Sequence, residues 1–185
     1  MHSIILKNLK NISKICPIKK IQFFNSEITL VVHTNDLFDV LLFLKNNFLC
    51  QFKILSCVTC VDYPKSNYRF MLIYDILSIR YNTRIKIKIF TYEIGTISSV
   101  TKVYSAAGWF EAEVWDMFGV FFKNHPNLKR ILTDYGFQGH PLRKDFPLSG
   151  FIEMKYNEVN KRVVSETIEL AQEYRTFNFL SPWQN

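Results

Sequence analysis

The sequence predicts an α+β domain followed by an extended, irregular C-terminal arm. Three observations carry that expectation. From Arg84 to Tyr92 the residues alternate strictly, with Ile85, Ile87 and Ile89 on one face and Arg84, Lys86 and Lys88 on the other; this is the two-residue period of a half-exposed strand. Leu37, Val40, Leu41, Leu44 and Phe48 recur at the spacing of one helical face. From His125 to Gly150 the chain carries Pro126, Pro141 and Pro147 among Gly136, Gly139 and Gly150. Proline fixes φ and removes a donor, and glycine permits φ > 0, so neither a regular helix nor a central strand is expected from Tyr135 to Gly150.

Taken in order, Ile4, Ile5, Leu9, Ile12 and Ile15 space out a short amphipathic helix that ends before Pro17. Residues 21–24 and 27–33 read as two short strands around the turn pair Asn25-Ser26. Thr34, Asn35 and Asp36 offer N-caps for a helix running to about Leu49. Phe38, Leu42 and Phe43 widen its apolar arc, so it should pack on a sheet. Residues 52–61 read as a strand, 62–67 as a loop, and 68–80 as a long apolar strand. Tyr81-Asn82-Thr83 turns the chain into the alternating strand, making a long hairpin. Residues 105–118 read as a helix with Ala106, Phe110, Val114 and Met117 on its apolar face and Gly119 at its C-terminal cap. Glu111, Glu113 and Asp116 fall on its other sides, where salt bridges or water are expected. Beyond Gly136, residues 151–156 and 163–168 suggest short extended pieces, and 166–175 reads equally as a helix.

The chain has 185 residues, 48% hydrophobic and 16% aromatic, and a formal net charge of +7. That length allows one domain and an appendage. The charge excess sits at the front: residues 1–26 hold five lysines and no acid, whereas from Lys123 onward nine Lys or Arg face seven Asp or Glu. No apolar run approaches the roughly 18 residues of a membrane-spanning helix. The basic, acid-free N-terminus is compatible with a mitochondrial import signal, although it lacks arginine.

Catalytic patterns are thin. There is no Gly-rich phosphate loop and no G-x-S-x-G elbow. Cys57 and Cys60 have C-x-x-C spacing, but a structural zinc or an iron–sulfur cluster needs four ligands, and Cys16 and Cys50 are not at supporting spacings. Their apolar context makes them small hydrophobes of a strand. His125, His140 and Asp134 could in principle hold the metal of a hydrolase; histidines before proline in loops are more readily explained as structural hydrogen-bonders. A basic RNA-binding protein of an organellar ribosome is the other alternative, supported by the net charge and the basic strand face.

The arm is too rich in Leu142, Phe146 and Leu148 for a disordered linker. It reads as an ordered strap that needs a surface. The stretch WFEAEVWDMFGVFFKNHPNLKRILTDYGFQGHPLRKDFPLSG, together with CVDYP, YRFMLIYDILSIRYNTRIKIK, KRVVSETIELAQEYR and the closing SPW, resembles the 30-kDa-type subunit family of respiratory complex I in its mitochondrially encoded form. The resemblance implies a two-layer domain with a mixed β-sheet packed by helices, and then the arm. It implies a non-catalytic subunit of the peripheral arm, on the matrix side of the mitochondrial inner membrane. It implies no cofactor on this chain, with iron–sulfur clusters, FMN and ubiquinone on neighbouring subunits. The implied partners are the large quinone-site subunit and the iron–sulfur subunits, in a hetero-oligomer that binds no nucleic acid.

On this reading residues 1–20 form a basic segment, 21–122 the folded domain and 123–185 the docking arm. Phe137, Leu142, Phe146 and Trp183 are the expected apolar anchors. Arg130, Arg143, Lys144 and Asp145 would set the register, with Asp134, Tyr135 and His140 completing the interface. Two positions depart from the family pattern: Ala112 stands where an arginine is usual, and Thr167 where proline is.

Overall fold

A computed structural model describes residues 12, 14–25, 27–169, 176, 177, 179 and 183. The expected N-terminal helix lies mostly outside these residues, as does the end of 166–175. By its internal contacts the chain divides into two compact units, 1–144 and 145–185.

The first unit is built on a five-stranded mixed sheet. Its strands are β1 (Ile18–Phe24), β2 (Glu27–Val32), β3 (Ile54–Asp62), β4 (Phe70–Ser78) and β5 (Thr83–Thr91), in the order β1-β2-β5-β4-β3. All neighbours run antiparallel except β2 and β5, which are parallel. The two reversals that the sequence marks are made by Asn25 and Asn82, both at positive φ, which asparagine tolerates better than most residues. The β4–β5 hairpin pairs Leu72 with Ile89, Tyr74 with Ile87 and Ile76 with Ile85, so every second residue points into one core.

Two helices cover that inner face. The first, α1 (Leu37–Asn46), buries Leu37, Val40, Leu41 and Leu44 as its period demands. It stops before Leu49, and Phe48 lies exposed beneath the Arg80 guanidinium, 4.6 Å from its ring centroid. None of Thr34, Asn35 and Asp36 caps α1 through its side chain; they form a single 3₁₀ turn leading into it. The second helix, α2 (Ala107–Phe118), packs on β3. A short parallel pair, β6 (Thr96–Ser98) and β7 (Phe121–Lys123), brackets α2. The apolar face expected of α2 is only partly right. Val114 is buried, but Phe110 and Met117 are half-buried, and Glu111 and Asp116 are fully inside. Asp116 does form an ion pair, with Arg130, but neither carboxylate sits in water. Charge alone places a residue outside, whereas donors from loops distant in sequence can satisfy it within.

The second unit contains an antiparallel hairpin, β8 (Ile152–Asn157) and β9 (Arg162–Thr167). The two extended pieces expected after Gly150 are present. Phe146 packs edge-on against Phe151, with ring centroids 5.3 Å apart.

Candidate functional site

The last carbonyls of any helix lack intrahelical donors. At the end of α2, Gly119 takes φ 78° and returns its own N–H to the Trp115 carbonyl at 2.8 Å. The remaining carbonyls are met from the loop. His140 Nδ1 donates to Asp116 O at 2.9 Å, the Leu142 N–H to Met117 O at 3.1 Å, and Arg143 Nε to Phe118 O at 2.6 Å. A carbonyl only accepts, so His140 carries its proton on Nδ1. Burial lowers the pKa of His140, and nearby Arg143 and Arg130 act in the same direction. A Cβ on Gly119 would stand 2.5 Å from Arg143 Nη2 and 2.6 Å from His140 Nε2. Glycine is required here both for its φ and for that close approach.

Asp116 holds the preceding part of the loop. Its Oδ2 accepts the N–H groups of Ile131, Leu132 and Thr133 at 3.2, 2.8 and 3.0 Å. Its Oδ1 accepts Thr133 Oγ1 at 2.8 Å and Arg130 Nη1 at 3.1 Å. Desolvation works to raise its pKa, but the backbone and hydroxyl donors of residues 131–133 outweigh it and the net shift is downward. Arg130 also donates to Gly139 O at 2.8 Å and lies 5.6 Å from the Trp115 ring centroid.

A second ionic node ties residues 143 and 144 to the sheet. Asp62 at the end of β3 takes a two-pronged pair from Arg69, at 2.9 and 3.1 Å, and the Lys144 N–H at 2.8 Å. Glu93 Oε1 joins Arg69 and Arg143, at 3.0 and 3.1 Å. Both guanidinium carbons lie 5.3 Å from the Phe70 ring centroid.

Glu111, in the N-terminal half of α2, is equally buried. It accepts Ser99 Oγ at 2.6 Å and the Val100 N–H at 2.8 Å. Burial raises its pKa to about 7, against the pull of those two donors. His125 Nε2 is 3.9 Å from Glu111 Oε2 and 3.1 Å from Gly108 O, while His125 Nδ1 accepts the Asn127 N–H at 3.2 Å. Both ring nitrogens are thus engaged, and His125 has no lone pair to offer a metal. The hydrolase alternative loses its first ligand.

The structure therefore brings Arg130, His140, Arg143 and the Lys144 backbone together around the end of α2. Asp134 serves locally, accepting the Tyr135 N–H at 2.8 Å. Tyr135 and Leu142 point into solvent, Phe137 is half-buried, and Trp183 is exposed. Asp145 and Phe146 belong to the second unit. Sequence reading gave Asp62, Arg69 and Glu93 no role, and left Glu111 and Asp116 to salt bridges or water rather than inside the fold. The available signal was the placing of Glu111 and Asp116 among Trp109, Phe110, Trp115 and Phe118, where an unpaired charge would be costly.

Residues 30–152 match the family model of the respiratory-chain NADH dehydrogenase 30-kDa subunit. The chain belongs to that family. The 30-kDa-type chain is 53% identical over 167 residues to NADH-ubiquinone oxidoreductase subunit 9 of Reclinomonas americana, covering 90% of this chain and 82% of that one. It is 54% identical over 159 residues to NADH-ubiquinone oxidoreductase subunit 9 of Prototheca wickerhamii, covering 86% and 83%. It is 54% identical over 152 residues to NADH dehydrogenase [ubiquinone] iron-sulfur protein 3 of Solanum tuberosum, covering 82% and 80%. A solved trypsin-resistant fragment of Nqo5 superposes with TM-score 0.52 at 20% identity, covering 68% of this chain and 99% of the fragment. A chain of the archaeal membrane-bound sulfane sulfur reductase superposes with TM-score 0.67 at 24% identity, covering 77% and 85%; both show the shared fold. This 30-kDa-type chain is a subunit of NADH:ubiquinone oxidoreductase, the respiratory complex I.

Relatives named iron-sulfur proteins raise the question of a cluster site here. On β3, Cys60 opposes Leu72 and faces the core, while Cys57 opposes Asp75 on the outer face. The C-x-x-C pair is split across the sheet and cannot converge on one metal. Burial pushes the Cys60 thiol up to about 12 and the Cys50 thiol to about 11, the opposite of what a thiolate ligand needs. Among the described residues no group of three or more His, Cys, Asp or Glu could hold a metal, and no helix is long and apolar enough to cross a membrane.

Proposed function

We propose that this chain is a non-catalytic core subunit of the peripheral arm, on the matrix side of the mitochondrial inner membrane. It scaffolds the quinone-reducing module while electrons pass from NADH to ubiquinone and protons are translocated. The iron–sulfur clusters, FMN and ubiquinone belong to neighbouring subunits. The observation that carries this reading is the exposure of the second unit. Ile152, Met154, Tyr156 and Val163 share one face of the β8–β9 hairpin, and each is more than half exposed. A lone two-stranded hairpin is marginal in water, and such a face is stable only against another surface. The charged groups of the other face, such as Lys155 and Glu166, pair at 3.7 Å in solvent.

In this reading Phe146, Trp183 and the hairpin face anchor the arm on the large quinone-site subunit and the iron–sulfur subunits. Leu142, Tyr135 and Lys144, displayed by the loop braced on α2, make a separate contact with those subunits. The test is affinity purification of the tagged full chain in mild detergent. Co-purification of other NADH dehydrogenase subunits is expected, and its loss on Phe146→Ala or Met154→Asp with the chain still folded. A chain that purifies alone, or with RNA released by salt, would sink the reading.

A further inference from the structure

The outer face of the five-stranded sheet, opposite both helices, carries a second surface. Strand register lays out its rows. One row runs Lys20, Val31, Lys88, Ile73, Thr59; the next runs Gln22, Thr29, Lys86, Asp75, Cys57. Both helices pack into the core on the other side. A hollow of about 620 Å³ opens between β1 and β5, reaching Phe24 at one end. Beside it lie Val31 and the exposed Phe90 ring. The face is therefore both apolar and cationic. Lys86 is paired with Glu27, whereas Lys20 and Lys88 have no ion pair among the described residues.

We infer that this lysine-lined face docks an acidic segment of a neighbouring subunit, one that sets carboxylates against Lys20 and Lys88 and apolar side chains on Phe24, Ile73 and Phe90. Charge complementarity selects this occupant. A second copy of the chain would bring lysines against lysines. A nucleic-acid backbone would meet Glu27 and Asp75 and leave the apolar rows unused, since phosphate contacts need cations alone. The inference rests on the assembly reading above but concerns a different surface, on the first unit.

The test uses the native complex. Lysine acetylation followed by mass spectrometry compares the assembled complex with the isolated full chain, and a carbodiimide, which joins lysine directly to carboxylate, reports the partner. Lys20 and Lys88 should be about tenfold less reactive in the complex, while Lys65 is unchanged, and both Lys20 and Lys88 should link to Asp or Glu of another subunit. Lys88→Glu should abolish its link and weaken that at Lys20. If Lys20 and Lys88 stay as reactive as Lys65 while other lysines link to other subunits, this proposal falls and the assembly reading stands. If no intersubunit link forms anywhere, the assembly reading falls as well. Protection removed by nuclease or by delipidation assigns the face to nucleic acid or lipid and overturns the proposal.

Discussion

The carboxylate of Asp116 and the guanidinium of Arg130 meet 3.1 Å apart at the end of α2, and the same carboxylate gathers the three successive N–H groups of residues 131–133. One buried anion thereby converts an irregular stretch of chain into a fixed loop. Asp116→Asn presents an amide donor where donors already converge. It should destabilise the first unit by about 3 kcal/mol, measured by urea denaturation, and should open residues 130–135 to proteolysis before the sheet unfolds. The pKa of Asp116 is depressed in the fold, so its contribution is complete above the unfolded value of about 3.9 and is lost as pH falls through the lower folded value. A variant whose loop keeps its protease resistance would refute the bracing role.

Glu111 behaves in the opposite sense. Its folded pKa is raised to about 7 by burial, against about 4.3 unfolded. Between those values the unfolded chain releases a proton that the folded chain keeps, so stability falls as pH rises from about 4 to about 7, by on the order of 3 kcal/mol. Glu111→Gln keeps the shape, accepts the Val100 N–H and donates to Ser99 Oγ, which can turn toward Thr101 Oγ1, 2.9 Å away. That variant should match or exceed the parent's stability at pH 7.5 and show a flatter pH profile. Glu111→Ala also removes the titrating group, so its cost should be larger near pH 4 than at pH 7.5. Identical pH profiles for parent and Gln variant would exclude the buried, proton-holding carboxyl.

Gly119→Ala combines a positive φ with a Cβ placed against Arg143 and His140. The expected loss is about 2 kcal/mol. It should be accompanied by exposure of residues 139–144, read as faster amide exchange at Leu142, whose N–H is bound to Met117 O. An unchanged exchange rate at Leu142 would mean that the loop is not seated by this glycine.

Arg143 and Phe146 should separate fold from assembly. Arg143 Nε caps α2 and its Nη1 reaches Glu93; a lysine cannot make both bonds in that planar geometry. Arg143→Lys should lower the stability of the isolated chain by about 1 kcal/mol, on top of any loss of assembled complex. Phe146→Ala lies in the second unit and should leave the unfolding midpoint of the first unit unchanged while reducing the complex on native gels. Equal effects of both substitutions on the two measurements would remove the distinction.

Periodicity was enough to read the strands of the β4–β5 hairpin and the buried stripe of α1, but not the order of the sheet or its one parallel pair. Ile85, Ile87 and Ile89 alternate because one face of a strand is buried, and Leu37, Val40, Leu41 and Leu44 recur because one stripe of a helix is. Those are local rules, and the chain obeys them locally. The absence of helix and strand from Tyr135 to Gly150 was equally legible, since proline and glycine act on their own φ. The site was legible only as a list of residues. Arg130, His140 and Arg143 stood out by type, but what they hold did not.

That part belongs to the tertiary fold. Glu111 and Asp116 look like surface residues until donors from Ser99, Val100 and residues 130–133 are brought to them. Asp62 and Glu93 acquire their roles only when β3, β5 and the loop at 143–144 meet. Such contacts join positions far apart along the chain, so no repeat or short spacing announces them. Whether a buried charge is tolerated depends on how many donors surround it, and that number exists only once the chain has folded.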